Sequence, residues 1–273
     1  MTAVASARER GLAEALAAVR ARLARAAEVA DRNPNEIELL PITKFFPASD
    51  VLILRRLGCL EFGESREQEA ANKSAEVRAV LGAESIRWHM VGRIQRNKAR
   101  SIAGWAYAAH SVDSARLIAA LARACTEALD QRRRTAPLRV YLQLSLDGDE
   151  SRGGVAIGRT DAIDELCAAV ADADGLELVG LMAIPPLDAD PDTAFARLQD
   201  ERDRVQKAYE QPLGLSAGMS SDLEAAVKHG STCVRVGTAL MGQRPLTSPA
   251  VVTPVTSSSQ TSPPPPSAEG SPR

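Results

Sequence analysis

The 273-residue sequence is short of several things, and each shortage closes off a class of protein. Aromatic residues make up 3% against 45% apolar overall, so the core has to be built from aliphatic side chains rather than rings. No run of about 18 apolar residues occurs, which leaves no candidate membrane helix. The first residues scatter Arg8, Glu9, Arg10 and Glu14 where a signal peptide would have its apolar centre, and the cytoplasm is the expected compartment. Neither sign of charge is in excess. The 33 basic and 35 acidic side chains leave −2, which argues against general nucleic-acid binding. The four cysteines, Cys59, Cys125, Cys167 and Cys233, include no Cys-x-x-Cys pair and no histidine at zinc-ligand spacing, so they read as buried small hydrophobes. Lysine is scarce as well: Lys44, Lys73, Lys98, Lys207 and Lys228 stand against an arginine-rich background. A guanidinium stays charged and cannot form an imine, so each lysine that remains draws attention.

What is present is a long alternation of β-type and helical patterns. Residues 3–31 carry Leu12, Leu16, Val19 and Leu23 at three- and four-residue steps, an amphipathic helix ahead of the first strand. Candidate strands follow at 37–42, 60–63, 86–92, 106–110, 138–145, 176–184, 213–217 and 232–237. Helical patterns occupy 48–57, 66–81, 95–103, 113–133, 160–173, 191–209 and 221–229, with a short turn after the eighth strand. From Leu246 the chain is dominated by Ser, Thr and Pro, which cannot bury enough apolar surface to order. The expected organisation is one α/β domain over residues 1–245, a (β/α)8 TIM-type barrel with an extra N-terminal helix, and a disordered tail over 246–273. Eight strands and roughly 245 residues favour the closed barrel over an open doubly wound sheet. No G-x-G-x-x-G follows the first strand, where ITKFFP stands instead.

Barrels of this kind gather function at the C-terminal ends of their strands, often with a phosphate on the last two loops. The first strand ends at Lys44, before Phe45, Phe46 and Pro47, an amine that apolar rings would desolvate towards its nucleophilic form; a solvated loop lysine is the plain alternative. After the seventh strand, Ser220, Ser221 and Glu224 suggest a helix start with a capping box at Ser221 and Glu224, suited either to an anion or merely to capping. Gly237 and Thr238 after the eighth strand offer a second small-residue turn. Arg235 lies between Val234 and Val236, facing the other way, and needs either a carboxylate or a ligand as partner. An imine-forming lysine, a phosphate cradle and a ring-facing arginine together suggest pyridoxal phosphate.

The ordered segments PITKFFP, EFGES, WHMVGRIQRNK, HSVD, GLMAIPP, LSAGMSSDLEAAVKHGST and VRVGTALMG strongly resemble the pyridoxal phosphate homeostasis protein family, the YggS or PROSC family, over about residues 8–244. Members resemble the barrel domain of alanine racemases without its second domain. The resemblance implies pyridoxal 5′-phosphate held by Lys44 as an imine, its phosphate on Ser220, Ser221, Gly237 and Thr238, and Arg235 facing the pyridine nitrogen. It also implies a monomeric carrier that supplies the cofactor to apo-enzymes, with little or no catalysis. Two positions depart from the family: Ser65 and Ser145 stand where asparagine is usual, which shortens a polar side chain at each place. His89 reads as a satisfied core residue. A racemase is the runner-up, but it needs an acid–base group on each face of its substrate, and little chain follows the eighth strand. A Schiff-base aldolase acting on a sugar phosphate is the third reading.

Overall fold

The computed structural model describes residues 6–82, 86–186 and 188–243, and the tail expected over 246–273 lies outside the described residues. The elements run α1 (Ala7–Val29), β1 (Glu38–Pro41), α2 (Ala48–Arg56), β2 (Glu61–Glu64), α3 (Glu67–Leu81), β3 (Arg87–Met90), α4 (Ala99–Trp105), β4 (Ala108–Val112) and α5 (Ala115–Asp130). They continue as β5 (Leu138–Ser145), β6 (Val155–Ala156), α6 (Thr160–Ala171), β7 (Leu176–Ala183), α7 (Pro191–Gln206), β8 (Gly214–Ser216), α8 (Leu223–Lys228), β9 (Cys233–Val236) and α9 (Thr238–Met241).

The strands pair in parallel in the order β1, β9, β8, β7, β5, β4, β3, β2, with the two-residue β6 attached beside β5. The ring is closed by one parallel bridge, Ile42 to Gly63, and the Thr43 N–H donates to Gly63 O at 3.0 Å. A Cβ on Gly63 would lie 2.4 Å from Ile42 Cδ1, so a larger residue here would require the Ile42 side chain to move aside. The eight-stranded barrel expected from the sequence is therefore observed, with β8 and β9 as its seventh and eighth staves. Its thin seam lies between β1 and β2, whereas β1 and β9 are full neighbours over four residues.

Four local expectations are corrected. The fourth strand runs 108–112 rather than 106–110, because a bulge between Ala109 and Val112 lets Val112 pair with Leu142. β6 was not expected; two residues are too few for any periodic signal. The stretch 95–103 divides into a 3-10 turn, Arg96–Lys98, and α4. A four-residue helix, α9, replaces the turn after the last strand.

The apolar core lies outside the strands, between barrel and helices. α5 shows how it is made: Leu117, Ile118, Leu121, Ala124, Cys125 and Ala128 recur at helical spacing and are all buried. Each large aliphatic side chain buried this way contributes about 1.5–3 kcal/mol. One such layer joins α4–α7 to β3–β8, and a second joins α1–α3, α8 and α9 to the remaining strands. All four cysteines are free and buried, as expected. Among the described residues no helix is long and apolar enough to cross a membrane.

The lumen differs. Its apolar groups are small, Leu40, Ile42 and Cys233 in one and Tyr141, Val179 and Met182 in another. Between them run polar side chains: His110 on β4 bonds Ser216 on β8, strands that β5 and β7 separate in the sheet, so the bond crosses the interior. α1 lashes both ends of the fold together: Arg22 pairs with Glu224, its Nη1 donates to Ser220 O at 2.6 Å, and Arg32 donates to Val227 O and Ser231 O at 2.8 and 2.7 Å.

Candidate functional site

A cavity of about 610 Å³ opens at the C-terminal ends of the strands, and all six residues singled out in the sequence line it: Lys44, Ser220, Ser221, Arg235, Gly237 and Thr238. The same lining contains Ser65, Gly92, Arg93, Ser111, Gln143 and Arg152. Among the described lining residues there are four cations, one of them, Arg152, paired with Asp147 outside the lining, and no carboxylate, a charge balance that favours an anion.

Lys44 follows β1 in a turn that is built rather than loose. Phe45 holds φ +69°, a region a bulky residue occupies only when its surroundings enforce it. Its N–H donates to Glu69 Oε1 at 2.7 Å. Beneath it, Lys73 Nζ donates to Thr43 O at 2.9 Å and Glu64 Oε1 at 2.6 Å, and Thr43 Oγ1 donates to the same Glu64 oxygen at 2.6 Å. A second lysine is thus spent on holding the residue next to Lys44. The desolvation expected of Lys44 is not found: its side chain is exposed, with Nζ 5.9 Å from the centre of the Phe45 ring.

The two turns opposite are linked. Ser220 Oγ accepts from Ala239 N at 3.2 Å, joining the β8 turn to the start of α9. Gly218 at φ +90° makes the first turn possible, since a Cβ there would meet Ala226 Cβ at 2.5 Å. Gly237 is different: a Cβ would touch only Ile42, at an ordinary 3.7 Å and farther, so the protein's own packing does not demand glycine there. The capping box expected at Ser221 and Glu224 does not form. α8 begins at Leu223 after Asp222, whose carboxylate accepts from Met219 N at 2.5 Å, while Glu224 is taken by Arg22.

Arg235 resolves the choice left open in the sequence. It is buried, and its donors go to Ser216 O and Oγ at 2.6 Å each and to Ala183 O at 3.0 Å, with no carboxylate partner among the described residues. Burial lowers its pKa from the ordinary arginine value. His89 is a satisfied interior residue, bonded to His110 and Glu61 at 2.9 and 2.7 Å. Of the two departures, Ser65 lines the cavity, whereas Ser145 Oγ donates to Asp147 at 3.0 Å in the loop after β5. Sequence reasoning missed Arg93 and Arg152. Arg93 follows the end of β3, where the strand-end rule could have found it. Arg152 belongs to a 3-10 turn tied to Asp147, and nothing in its spacing marks it.

The family described as Alanine racemase, N-terminal domain matches residues 15–245. The pyridoxal phosphate homeostasis protein of Mycobacterium tuberculosis is 63% identical over 248 residues, covering 89% of this chain and 96% of its own. That of Escherichia coli is 35% identical over 241 residues, covering 85% and 97%. PipY of Synechococcus elongatus, solved with pyridoxal phosphate bound, superposes with a TM-score of 0.70 at 30% identity over 85% of this chain and 100% of that one. Alanine racemase from E. faecalis, at 14% identity and TM-score 0.59 over 87% of this chain and 59% of the other, shares the fold. A barrel of this topology, an amine lining one cavity with two small-residue turns, and relatives this similar over nearly their full length place the chain in the pyridoxal phosphate homeostasis protein family.

Proposed function

We propose that this chain binds pyridoxal 5′-phosphate, with Lys44 forming an imine to it, and takes part in intracellular pyridoxal phosphate homeostasis with little or no catalysis. The observation that carries this reading is the meeting of Lys44 with Ser220, Ser221, Arg235, Gly237 and Thr238 around one cavity whose described lining has four cations and no carboxylate. Such a lining fits the group. Lys44 supplies an amine for the aldehyde, and the hydroxyls of Ser220, Ser221 and Thr238 supply donors for a phosphate. Gly237 leaves open the space that a Cβ would fill. When bound, pyridoxal phosphate contributes an aldehyde that condenses with amines and a ring that delocalises charge.

Arg235 would face the ring nitrogen as a donor. A cation there disfavours protonation of that nitrogen, which weakens the ring as an electron sink and supports binding over turnover. The described lining also has no histidine, cysteine, tyrosine or carboxylate to oppose Lys44 as a second base. Borohydride reduction of the native protein, followed by intact mass measurement and peptide mapping, tests the reading. One adduct on Lys44, absent from a folded Lys44→Ala variant, is expected; an adduct that persists in that variant overturns it. Rapid loss of optical activity from single enantiomers of alanine or serine would instead establish the racemase.

A further inference from the structure

Arg235 is an interior cation without a carboxylate against it among the described residues, and its hydrogen bonds lead across the lumen to Glu61, a carboxylate that Arg87 pairs with directly. A guanidinium can only donate, so Ser216 Oγ, which accepts from Arg235 Nη1 at 2.6 Å, has its own hydrogen to give. It gives it to His110 Nδ1 at 2.7 Å. His110 must then carry its proton on Nε2, and it donates to His89 Nδ1 at 2.9 Å. His89 is fixed in the same tautomer and donates from Nε2 to Glu61 Oε2 at 2.7 Å. Each donor and acceptor role is dictated by the arginine at one end and the carboxylate at the other.

We propose that Ser216, His110, His89 and Glu61 are positioning residues for Arg235, a one-way chain of hydrogen bonds that ties the cation at the barrel mouth to a carboxylate at its base. The inference rests on the pyridoxal phosphate reading above. A carboxylate placed directly on Arg235 would quench its field towards a ligand. A chain of neutral groups orients the guanidinium and leaves its cavity edge cationic. Both imidazoles are held neutral by burial, which pushes each below the usual histidine range. The groups packed against the chain include the Tyr141 ring, stacked on His110 at 4.4 Å, the Tyr107 ring, 5.6 Å from that of His89, Cys233 of β9, and Arg87, Arg139 and Glu38 around the Glu61 end.

The test uses the full chain. NMR of the histidine side chains, with and without pyridoxal phosphate, is expected to show both residues as neutral Nε2–H tautomers. An Nδ1–H tautomer on either one overturns the chain. Ser216→Ala and His89→Leu are each expected to raise the dissociation rate of pyridoxal phosphate about tenfold, the loss of roughly one charge-assisted bond, and to displace its visible absorption. His89→Gln can accept from His110 and donate to Glu61, and it restores both values. Leu and Gln variants that behave alike overturn the proposal, and where His89→Leu does not fold, the tautomers and Ser216→Ala decide. Arg235→Gln separates the two levels of the argument. If it alters retention while Ser216→Ala and His89→Leu do not, the positioning chain falls and the site reading stands. If no variant, Arg235→Gln included, alters retention or absorption while the tautomers are as drawn, the site reading itself has failed.

Discussion

The layer outside the strands and the lumen inside them are made of opposite chemistry. Outside, Leu, Ile, Val and Ala from the helices α1–α9 of the described residues pack against the barrel, and the layer contributes stability in proportion to area. Inside, where many barrels stack branched aliphatics, this one carries two histidines, a glutamate, a serine and an arginine joined end to end, with Glu38 beside the glutamate. Such a lumen adds little area burial, but its groups can satisfy one another only in a single arrangement. The outer layer holds the fold together and the inner file fixes where a charge points.

Substitutions can break that contrast or sharpen it. The largest effect is expected at Leu121, fully buried in the outer layer. Leu121→Ala should cost about 2–5 kcal/mol in urea unfolding, with cofactor retention per folded molecule unchanged. If retention falls with stability, the two regions are not separable. A smaller effect, with a pH signature, belongs to the lumen's base. Glu38 lies beside Glu61, and burial first, then the Glu61 charge, push its carboxyl up to about 8. The folded protein holds this proton between the usual 4.5 and about 8 while the unfolded chain releases it, so this group makes stability fall as pH rises through that window. Glu38→Gln keeps the neutral form and the donor. Its gain should be near zero at the acid end and reach on the order of 1–2 kcal/mol at the alkaline end, read from unfolding curves across pH. A flat difference would mean that the pair does not share a proton. The smallest effect is expected at the surface, where Arg100 meets Glu127 at 2.7 Å in the open. Arg100→Ala should change stability by no more than about 0.5 kcal/mol by the same measurement, the baseline for the other two.

Much of the outer layer was legible in the sequence because it is periodic. The spacing in α5 gives the helix, and strand 138–145 is legible to the residue because Val140, Tyr141, Leu142 and Leu144 dominate it, although Arg139, Gln143 and Ser145 interrupt the apolar run. The mouth was legible for a different reason, since Lys44, Gly237 and Thr238 follow directly on strand ends. The lumen was not. Glu61, His110 and Ser216 each look like an isolated polar residue in an apolar strand, and only closure of the barrel brings them together. Arg235 could be recognised as needing a partner, but not that a serine and a carbonyl would supply it. The capping box failed because a distant side chain, Arg22, competes for Glu224.

The lash of α1 over α8 and the β8 turn has a consequence for synthesis. Lys44 leaves the ribosome early, while Ser220 and Thr238 come at the far end of the described chain, and Arg22 can grip Ser220 O and Glu224 only then. The nascent protein therefore presents its amine before the opposing wall has been made, and the cavity is complete only once the last strand is paired with the first.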